Sequence, residues 1–340
     1  MKKIVVTGGL GFIGSHTVVE LQNSGFEVII IDNLSNSSIT VLDRIVSITG
    51  KTPSFHNIDL KQKASVEAFF KRHNDIAGVI HFAASKAVGE SVNEPLLYYE
   101  NNINTLVYML QNISQLAHAP FIFSSSCTVY GEAKTLPISE TSKIQPALSP
   151  YGNTKQVGEE IISDVCKSNA KFNAIALRYF NPIGSHESAK IGELPLGVPQ
   201  NLVPFITQTG AGIREQLSVF GDTYATQDGT CIRDYIHVVD LAKAHVIALK
   251  RLIDGENATN YEVFNLGTGQ GSSVLEVIKS FERVSNQKLN YKIVDKREGD
   301  VVAAYANTTK AKDVLKWTAQ SSLDDAMRSA WKWQQQLKKE

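Results

Sequence analysis

Glycines 8, 11 and 14 stand in the run Gly8-Gly9-Leu10-Gly11-Phe12-Ile13-Gly14, directly after the apolar Ile4-Val5-Val6-Thr7. Between a strand and a helix, this spacing permits a tight turn, close approach of backbone to a pyrophosphate, and close packing of helix on strand. The helix start adds unpaired N–H groups for the phosphates. A plain turn carries the same glycines without a ligand, so the partner residues matter. Asp32 closes the second apolar segment 18 residues after Gly14. An acid there accepts hydrogen bonds from both ribose hydroxyls and repels a 2′-phosphate, which favours NAD over NADP. Asp59, near the end of a third strand, is placed either to meet the adenine amino group or to serve as a loop or cap aspartate. A Walker-type loop fits poorly, because Ser15-His16 replaces the Lys-Ser/Thr that holds phosphates and Mg²⁺.

Tyr151-Gly152-Asn153-Thr154-Lys155 supplies a phenol and an ammonium four residues apart. If the segment opens a helix, both groups lie on one face. A free tyrosine, with a pKa of about 10, is a poor base near neutrality. Lys155 and a positive nicotinamide ring would both favour the phenolate, and a shift of about 3 units corresponds to roughly 4 kcal/mol. Such a base suits removal of a hydroxyl proton while hydride leaves the same carbon. Ser124-Ser125-Ser126 follows an apolar segment, and in open α/β sheets the carboxyl ends of strands form the ligand crevice. Ser126 there would bridge a substrate hydroxyl and Tyr151. The same serines also suit a helix cap or a solvated turn.

These residues need a sheet to hold them. Ile4 to Thr7, Val28 to Ile31, Val79 to Phe82, Phe121 to Ser124 and Ala174 to Leu177 are short and apolar on both faces, as central parallel strands are. Helical stretches at Ser15 to Asn23, Ser65 to Arg72 and Ile103 to Leu116 alternate with them, which predicts a doubly wound α/β sheet with right-handed crossovers. After about Asn181, prolines and glycines break the pattern and suggest a less regular lobe. Val238 to Leu252 reads as a helix and Tyr261 to Asn265 as a strand, both expected to return to the first lobe. The predicted division is 1–180 with 236–270 for the dinucleotide, and 181–235 with 271–340 for the substrate.

Lys+Arg and Asp+Glu both total 34, so the chain lacks the basic field that nucleic-acid or membrane-surface binding uses. No membrane-spanning run and no secretory leader is expected. Cys127, Cys166 and Cys231 are far apart and odd in number, which suits a reducing, cytoplasmic setting rather than a disulfide framework. The histidines show no metal-ligand spacing, so no metal is expected.

Taken with His81 to Ser91, Ser124 to Gly131, Ser149-Pro150-Tyr151-Gly152, Arg178 to Pro182, Arg233 to Val238 and Arg297-Glu298-Gly299-Asp300, the motifs resemble the extended short-chain dehydrogenase/reductase family over essentially the full chain. Within it the chain is most similar to the branch that epimerises UDP-hexoses at C4. The resemblance implies a Rossmann-type sheet with a smaller mixed α/β lobe that binds the UDP-sugar. It also implies a tightly held NAD that acts as catalyst: Tyr151 takes the C4 hydroxyl proton, hydride passes to NAD, the 4-keto sugar turns over, and hydride returns to its other face. Ser126 contacts the substrate hydroxyl and Lys155 holds the nicotinamide ribose. The implied NAD contacts are Gly8, Gly11, Phe12, Ile13, Gly14, Asp32, Asn33, Leu34, Ser35, Asn36, Ser37, Asp59, Leu60, Phe82, Ala83, Ala84, Ser85, Lys86, Asn101, Ser126, Tyr151, Lys155 and Phe180. The implied substrate contacts are Lys86, Ser126, Tyr151, Asn181, Asn201, Arg233, Arg297, Asp300 and Ala304. Two arginines suit a diphosphate, because each guanidinium fork makes paired charge-assisted hydrogen bonds.

Related sugar 4,6-dehydratases carry acidic residues just before the equivalent of Val129-Tyr130-Gly131, and decarboxylases keep a glutamate there. Cys127 and Thr128 occupy those places and supply no acid for a leaving hydroxyl. A UDP-hexuronic acid epimerase and a non-catalytic NAD sensor remain alternatives, although sensors of that kind often lose the Tyr or Lys present here. Ala304 aligns with a position that is tyrosine or smaller in the family, and a small residue leaves room for an N-acetyl group; a slip of one residue would put Tyr305 there instead. Homodimers are usual in the family, and Asn102 to Leu116, with Leu106, Met109, Leu110 and Ile113 at helical spacing, offers either a candidate dimer face or ordinary packing onto the sheet.

Overall fold

Ile4 and Val6 point to one side of their strand and Val5 to the other, and all three are fully buried. That alternation decides the architecture, because both faces need a helical cover. The computed structural model describes residues 1–116, 119–297 and 300–339. Its main sheet contains β1 (Lys3–Thr7), β2 (Glu27–Asp32), β3 (Ser54–Asn57), β4 (Ile76–His81), β5 (Phe121–Ser126), β6 (Ala174–Tyr179) and β11 (Tyr261–Leu266). All pair in parallel, in the order β11-β6-β5-β4-β1-β2-β3. On one face Ile4, Val6, Val28 and Ile30 pack with α1 (Phe12–Asn23), α2 (Thr40–Thr49) and α8 (Val238–Ile253). On the other, Val5, Ile29, Phe121 and Phe123 pack with α3 (Lys63–Arg72), α5 (Pro95–Ile113) and α6 (Pro150–Ser168). A short helix, α4 (Val88–Asn93), precedes α5.

The fold is the doubly wound parallel sheet that the sequence predicts. Two details differ. The helix expected from Ile103 begins at Pro95, which sits at its first turn, where a proline's missing N–H costs nothing. The candidate dimer face is also corrected: Leu106, Met109, Leu110 and Ile113 are at most 3% exposed and pack under the sheet with Phe121 and Ile162.

The remaining elements are β7 (Asn181–Ile183), α7 (Leu202–Gly210), β8 (Leu217–Phe220), β9 (Ile232–Arg233), β10 (Tyr235–His237), β12 (Ser272–Ser273), α9 (Val274–Ser285), β13 (Tyr291–Val294), β14 (Ala303–Ala304), α10 (Thr309–Val314) and α11 (Leu323–Leu337). They form small sheets, β10-β7, β12-β9-β14 and β13-β8. A separate core built on Ile206, Val219, Phe281, Met327 and Trp331 unites α7, α9 and α11. No helix among the described residues is long and apolar enough to cross a membrane.

Candidate active site

The glycine turn joins β1 to α1. Gly8 has φ +65°, donates its N–H to Ile31 O at 2.8 Å, and lies so close to the end of β4 that a Cβ would stand 3.0 Å from Ala83 N. A Cβ on Gly14 would stand 2.2 Å from Gly8 O, so the helix can approach the strand only with hydrogen at that position. Gly11 is the N-cap of α1 and has no capping side chain. The first-turn N–H groups, Phe12 and Ile13 included, are therefore left for an anion or water.

Asp32 ends β2 and fastens this turn to the next loop: its carboxylate accepts from Leu10 N (3.1 Å), Leu34 N (2.9 Å) and Ser37 Oγ (2.8 Å). Leu34 is left-handed at φ +60°, and Asn33 accepts from Ser35 N and Oγ while Asn36 is exposed. Asp59 lies two residues beyond β3, accepts Lys61 N at 3.0 Å, and is followed by buried Leu60. After β4, Phe82 and Ala83 hydrogen-bond to Thr7, and the loop continues through Ala84 to Ser85 and Lys86. Asn101 donates to Ser85 Oγ at 2.9 Å. Asn102 does more: it accepts Ser85 N and donates to Ser85 O and to Thr154 Oγ1, which ties this loop to α6. The sequence reading missed Asn102, whose signal was only its adjacency to Asn101.

Tyr151 occupies the first turn of α6, after the N-cap Ser149, whose hydroxyl accepts Gly152 N at 3.1 Å. The expected helix and shared face are present. Lys155 Nζ lies 5.8 Å from the Tyr151 ring centroid, is buried, and donates to Ser124 O at 2.6 Å. Ser126 ends β5 and lies close enough to the Tyr151 phenol to draw its pKa down. The electrostatics run against the expected depression of the phenol. In the chain itself, burial pushes Tyr151 up to about 12, with Ser126 drawing it partly back, and burial pushes Lys155 down to about 8. Desolvation disfavours both charged forms, and it outweighs the pairing that sequence spacing suggests.

Arg233, Arg297 and Asp300 come together. Asp300 lies 3.7 Å from Arg233 Nη2 and accepts Arg297 Nε at 3.2 Å, while Arg233 also donates to Ile232 O and Val301 O. The carboxylate thus sets two guanidinium forks side by side. Glu298 and Gly299 of that motif lie outside the described residues. Arg233 acts electrostatically on Cys127, next to Ser126, so this cluster borders the Tyr151 group. Burial holds the Cys127 thiol up at about 11, which makes it inert near neutrality. Ala304 pairs with Arg233 across β14 and β9 and packs beside Cys127 in the cluster that holds buried Phe180; Tyr305 lies near Gly271 instead. Asn181 opens β7, and Asn201, the N-cap of α7, donates to Glu193 Oε1 at 2.5 Å. Lys86 Nζ reaches the same oxygen at 3.5 Å. Glu193, another residue the sequence reading missed, therefore joins the predicted cofactor loop to the predicted substrate segment. No group of His, Cys, Asp or Glu among the described residues is arranged to hold a metal ion.

The arrangement sets a helix start with free N–H groups, the Asp32 carboxylate and a buried phenol–ammonium pair along the carboxyl edge of the main sheet, with a pair of arginines beside Cys127. Comparisons with known proteins agree with it. The family described as GDP-mannose 4,6 dehydratase matches residues 5–330. A UDP-glucose 4-epimerase of Pasteurella multocida is 47% identical over 331 residues, 97% of each chain. The crystal structure of a UDP-glucose 4-epimerase from Stenotrophomonas maltophila, with bound NAD and formylated UDP-arabinopyranose, superimposes with a TM-score of 0.95 at 43% identity, covering 100% of this chain and 99% of that one. That of a Bifidobacterium longum UDP-glucose 4-epimerase in complex with NAD⁺ and UDP has a TM-score of 0.93 at 44% identity, covering 98% of both. With Cys127 and Thr128 where a dehydratase carries its acid, the chain belongs to the UDP-glucose 4-epimerase family.

Proposed function

We propose that this chain interconverts UDP-galactose and UDP-glucose through a transient 4-keto sugar, with NAD retained between turnovers. The observation that carries this reading is the α6 face that sets Tyr151 against Ser126 and Lys155 against Ser124 O, with no carboxyl group at Cys127 or Thr128. The glycine turn, Asp32 and the Ser85–Lys86 loop fit NAD, which supplies the hydride acceptor when bound. Its positive ring adds the charge that a phenol near 12 needs in order to act as a base. Tyr151 Oη takes the proton of the C4 hydroxyl and later returns it. Ser126 orients that hydroxyl, Lys155 holds the nicotinamide ribose, and Arg233 and Arg297 bind the diphosphate with Asp300 on the uridine ribose. Residues 1–180 with 236–270 form the NAD lobe, and 181–235 with 271–340 form the UDP-sugar lobe.

Ala304, small and facing the Cys127–Phe180 cluster, leaves room for a 2-N-acetyl group, so UDP-N-acetylglucosamine and UDP-N-acetylgalactosamine are further substrates. The free cysteines suit a cytoplasmic enzyme. A homodimer through α5 and α6 is supported by Ile103 and Val107, which are only partly buried and lie off the stripe that packs under the sheet.

Purified protein incubated with UDP-galactose and no added cofactor is expected to yield UDP-glucose by proton NMR. No conversion even with NAD supplied would overturn the reading. Ala304→Tyr is expected to abolish conversion of the acetylated sugars while sparing the plain ones; full retention of acetylated-sugar activity would remove that extension.

A further inference from the structure

Tyr151, Lys155 and Glu159 succeed one another at four-residue intervals along α6, and each meets a different member of the serine run that ends β5. Tyr151 meets Ser126 and Lys155 donates to Ser124 O, while Ser125 Oγ donates to Glu159 Oε1 at 2.5 Å. Ser125 is the register partner of Arg178 on β6. Arg178 grips the same carboxylate, with Nε donating to Oε1 at 2.9 Å and Nη2 to Oε2 at 2.5 Å. Both side chains of the pair are at most 7% exposed. Behind them, Arg178 stacks over the Tyr130 ring at 4.8 Å, and Tyr130 donates to Asn265 Oδ1 at 2.6 Å. A buried ion pair of this kind is weak evidence for stability, since apolar residues of similar volume often serve as well. Its placement one turn below Lys155 calls for another role.

We propose that Glu159, clamped by Ser125 and Arg178, is a positioning residue that keeps Lys155 an ammonium beside Tyr151 and fixes the face of α6 that carries both. This rests on the reading of Tyr151 and Lys155 as the reacting pair. The groups that face the Lys155 and Tyr151 region from other elements are His81 on β4, Tyr98 on α5, Cys127 after β5 and Tyr179 on β6. Tyr261 on β11 faces Glu159, as does the Arg178 cation. The tyrosines and Cys127 are held neutral by burial, and His81 is pushed down to about 3, so it too is neutral. Glu159 is thus the negative charge that offsets Lys155. Burial lowers the Lys155 ammonium to about 8 even with Glu159 raising it. Without Glu159, two buried cations would remain around one helical turn, and Lys155 is the one able to lose its proton.

Glu159→Gln keeps the shape and removes the charge. The alkaline limb of kcat for UDP-galactose epimerisation is expected to move at least about one pH unit toward acid, lowering kcat at pH 8 by at least about fivefold while KM changes less than about twofold. Glu159→Asp is expected to restore part of the limb. NMR titration of ¹³C-labelled lysine reads the Lys155 ammonium directly and without turnover, and it should show the same downward displacement. An unmoved limb together with an unmoved Lys155 titration in folded Glu159→Gln would overturn the proposal, as would Glu159→Asp losing as much as Glu159→Gln. If Glu159→Gln does not fold, Glu159→Asp, which draws the carboxylate back by one methylene, carries the test: a smaller downward shift of the Lys155 titration supports the proposal and no shift overturns it. Failure of the epimerase reading would show separately, as a wild-type protein that makes no UDP-glucose while Lys155 still titrates.

Discussion

At the scale of single residues, burial acts on Tyr151 and Lys155 in opposite senses, raising the phenol and lowering the ammonium. Both shifts favour the neutral pair, so the working charge state depends on what surrounds it: Ser126, Glu159 and a cationic nicotinamide. On the proposed function, removing the phenolic oxygen removes the proton acceptor and nothing else of size. Tyr151→Phe is therefore expected to lower kcat by about 10²–10⁴-fold with KM for the UDP-sugar nearly unchanged, as read by NMR time courses. Tyr151 and Lys155 were legible in the sequence because helical spacing alone sets them on one face. Glu159 continues the same spacing, but its partners Ser125 and Arg178 come from two neighbouring strands, and strand register cannot be read from a single segment. The double grip of Asp300 on Arg233 and Arg297 was hidden for the same reason.

At the scale of elements, the contact of α1 with β1 depends on a missing methyl group. Gly14→Ala would place carbon 2.2 Å from a backbone oxygen that has no rotamer to move away. Overpacking of this kind costs about 1–3 kcal/mol, and here it also displaces the helix start. A lower melting temperature and loss of co-purifying NAD, read by absorbance after denaturation, are expected together. The β9–β14 pair makes a different contribution, presenting Arg233 beside Ala304. Arg297 is more than half exposed and stacks on Phe220, so its removal spares the core. Arg297→Ala is expected to weaken UDP binding by about 10–100-fold, the worth of one or two charge-assisted hydrogen bonds, with an unchanged melting temperature; calorimetric titration with UDP checks it. The central strands were readable because their apolar residues run unbroken. The edge strand β3, Ser54-Phe55-His56-Asn57, was legible only as a strand ending near Asp59, without bounds, since it has one sheet neighbour and no fully buried residue. The start of α5 was hidden by Glu100, Asn101 and Asn102, polar residues that interrupt the apolar stripe; the two asparagines serve the Ser85 loop.

At the scale of the whole molecule, several histidines are sealed in neutral form. His16 and His81 are pushed down to about 3 and His245 to about 4, all by burial. Between those values and the unfolded value of about 6.5, the unfolded chain binds more protons than the folded one. Stability is therefore expected to fall as pH drops from about 6.5 toward 3, with a slope corresponding to more than one proton. Circular-dichroism melts across that range check it, and a melting temperature that stays level from pH 6.5 to pH 4 would contradict it.

The strand order has one further consequence, and it concerns synthesis. β6 lies between β5 and β11, and β11 is separated from β6 in sequence by most of the small sheets. As the chain leaves the ribosome, five of the seven strands can assemble around β1 once β5 has emerged, and β6 can then join them. The outer edge of β6, whose six residues are all buried in the finished protein, must wait some eighty residues for its neighbour. During that interval the nascent chain presents an open apolar strand, a natural point of engagement for a chaperone and the place where two growing chains would be most apt to stick together.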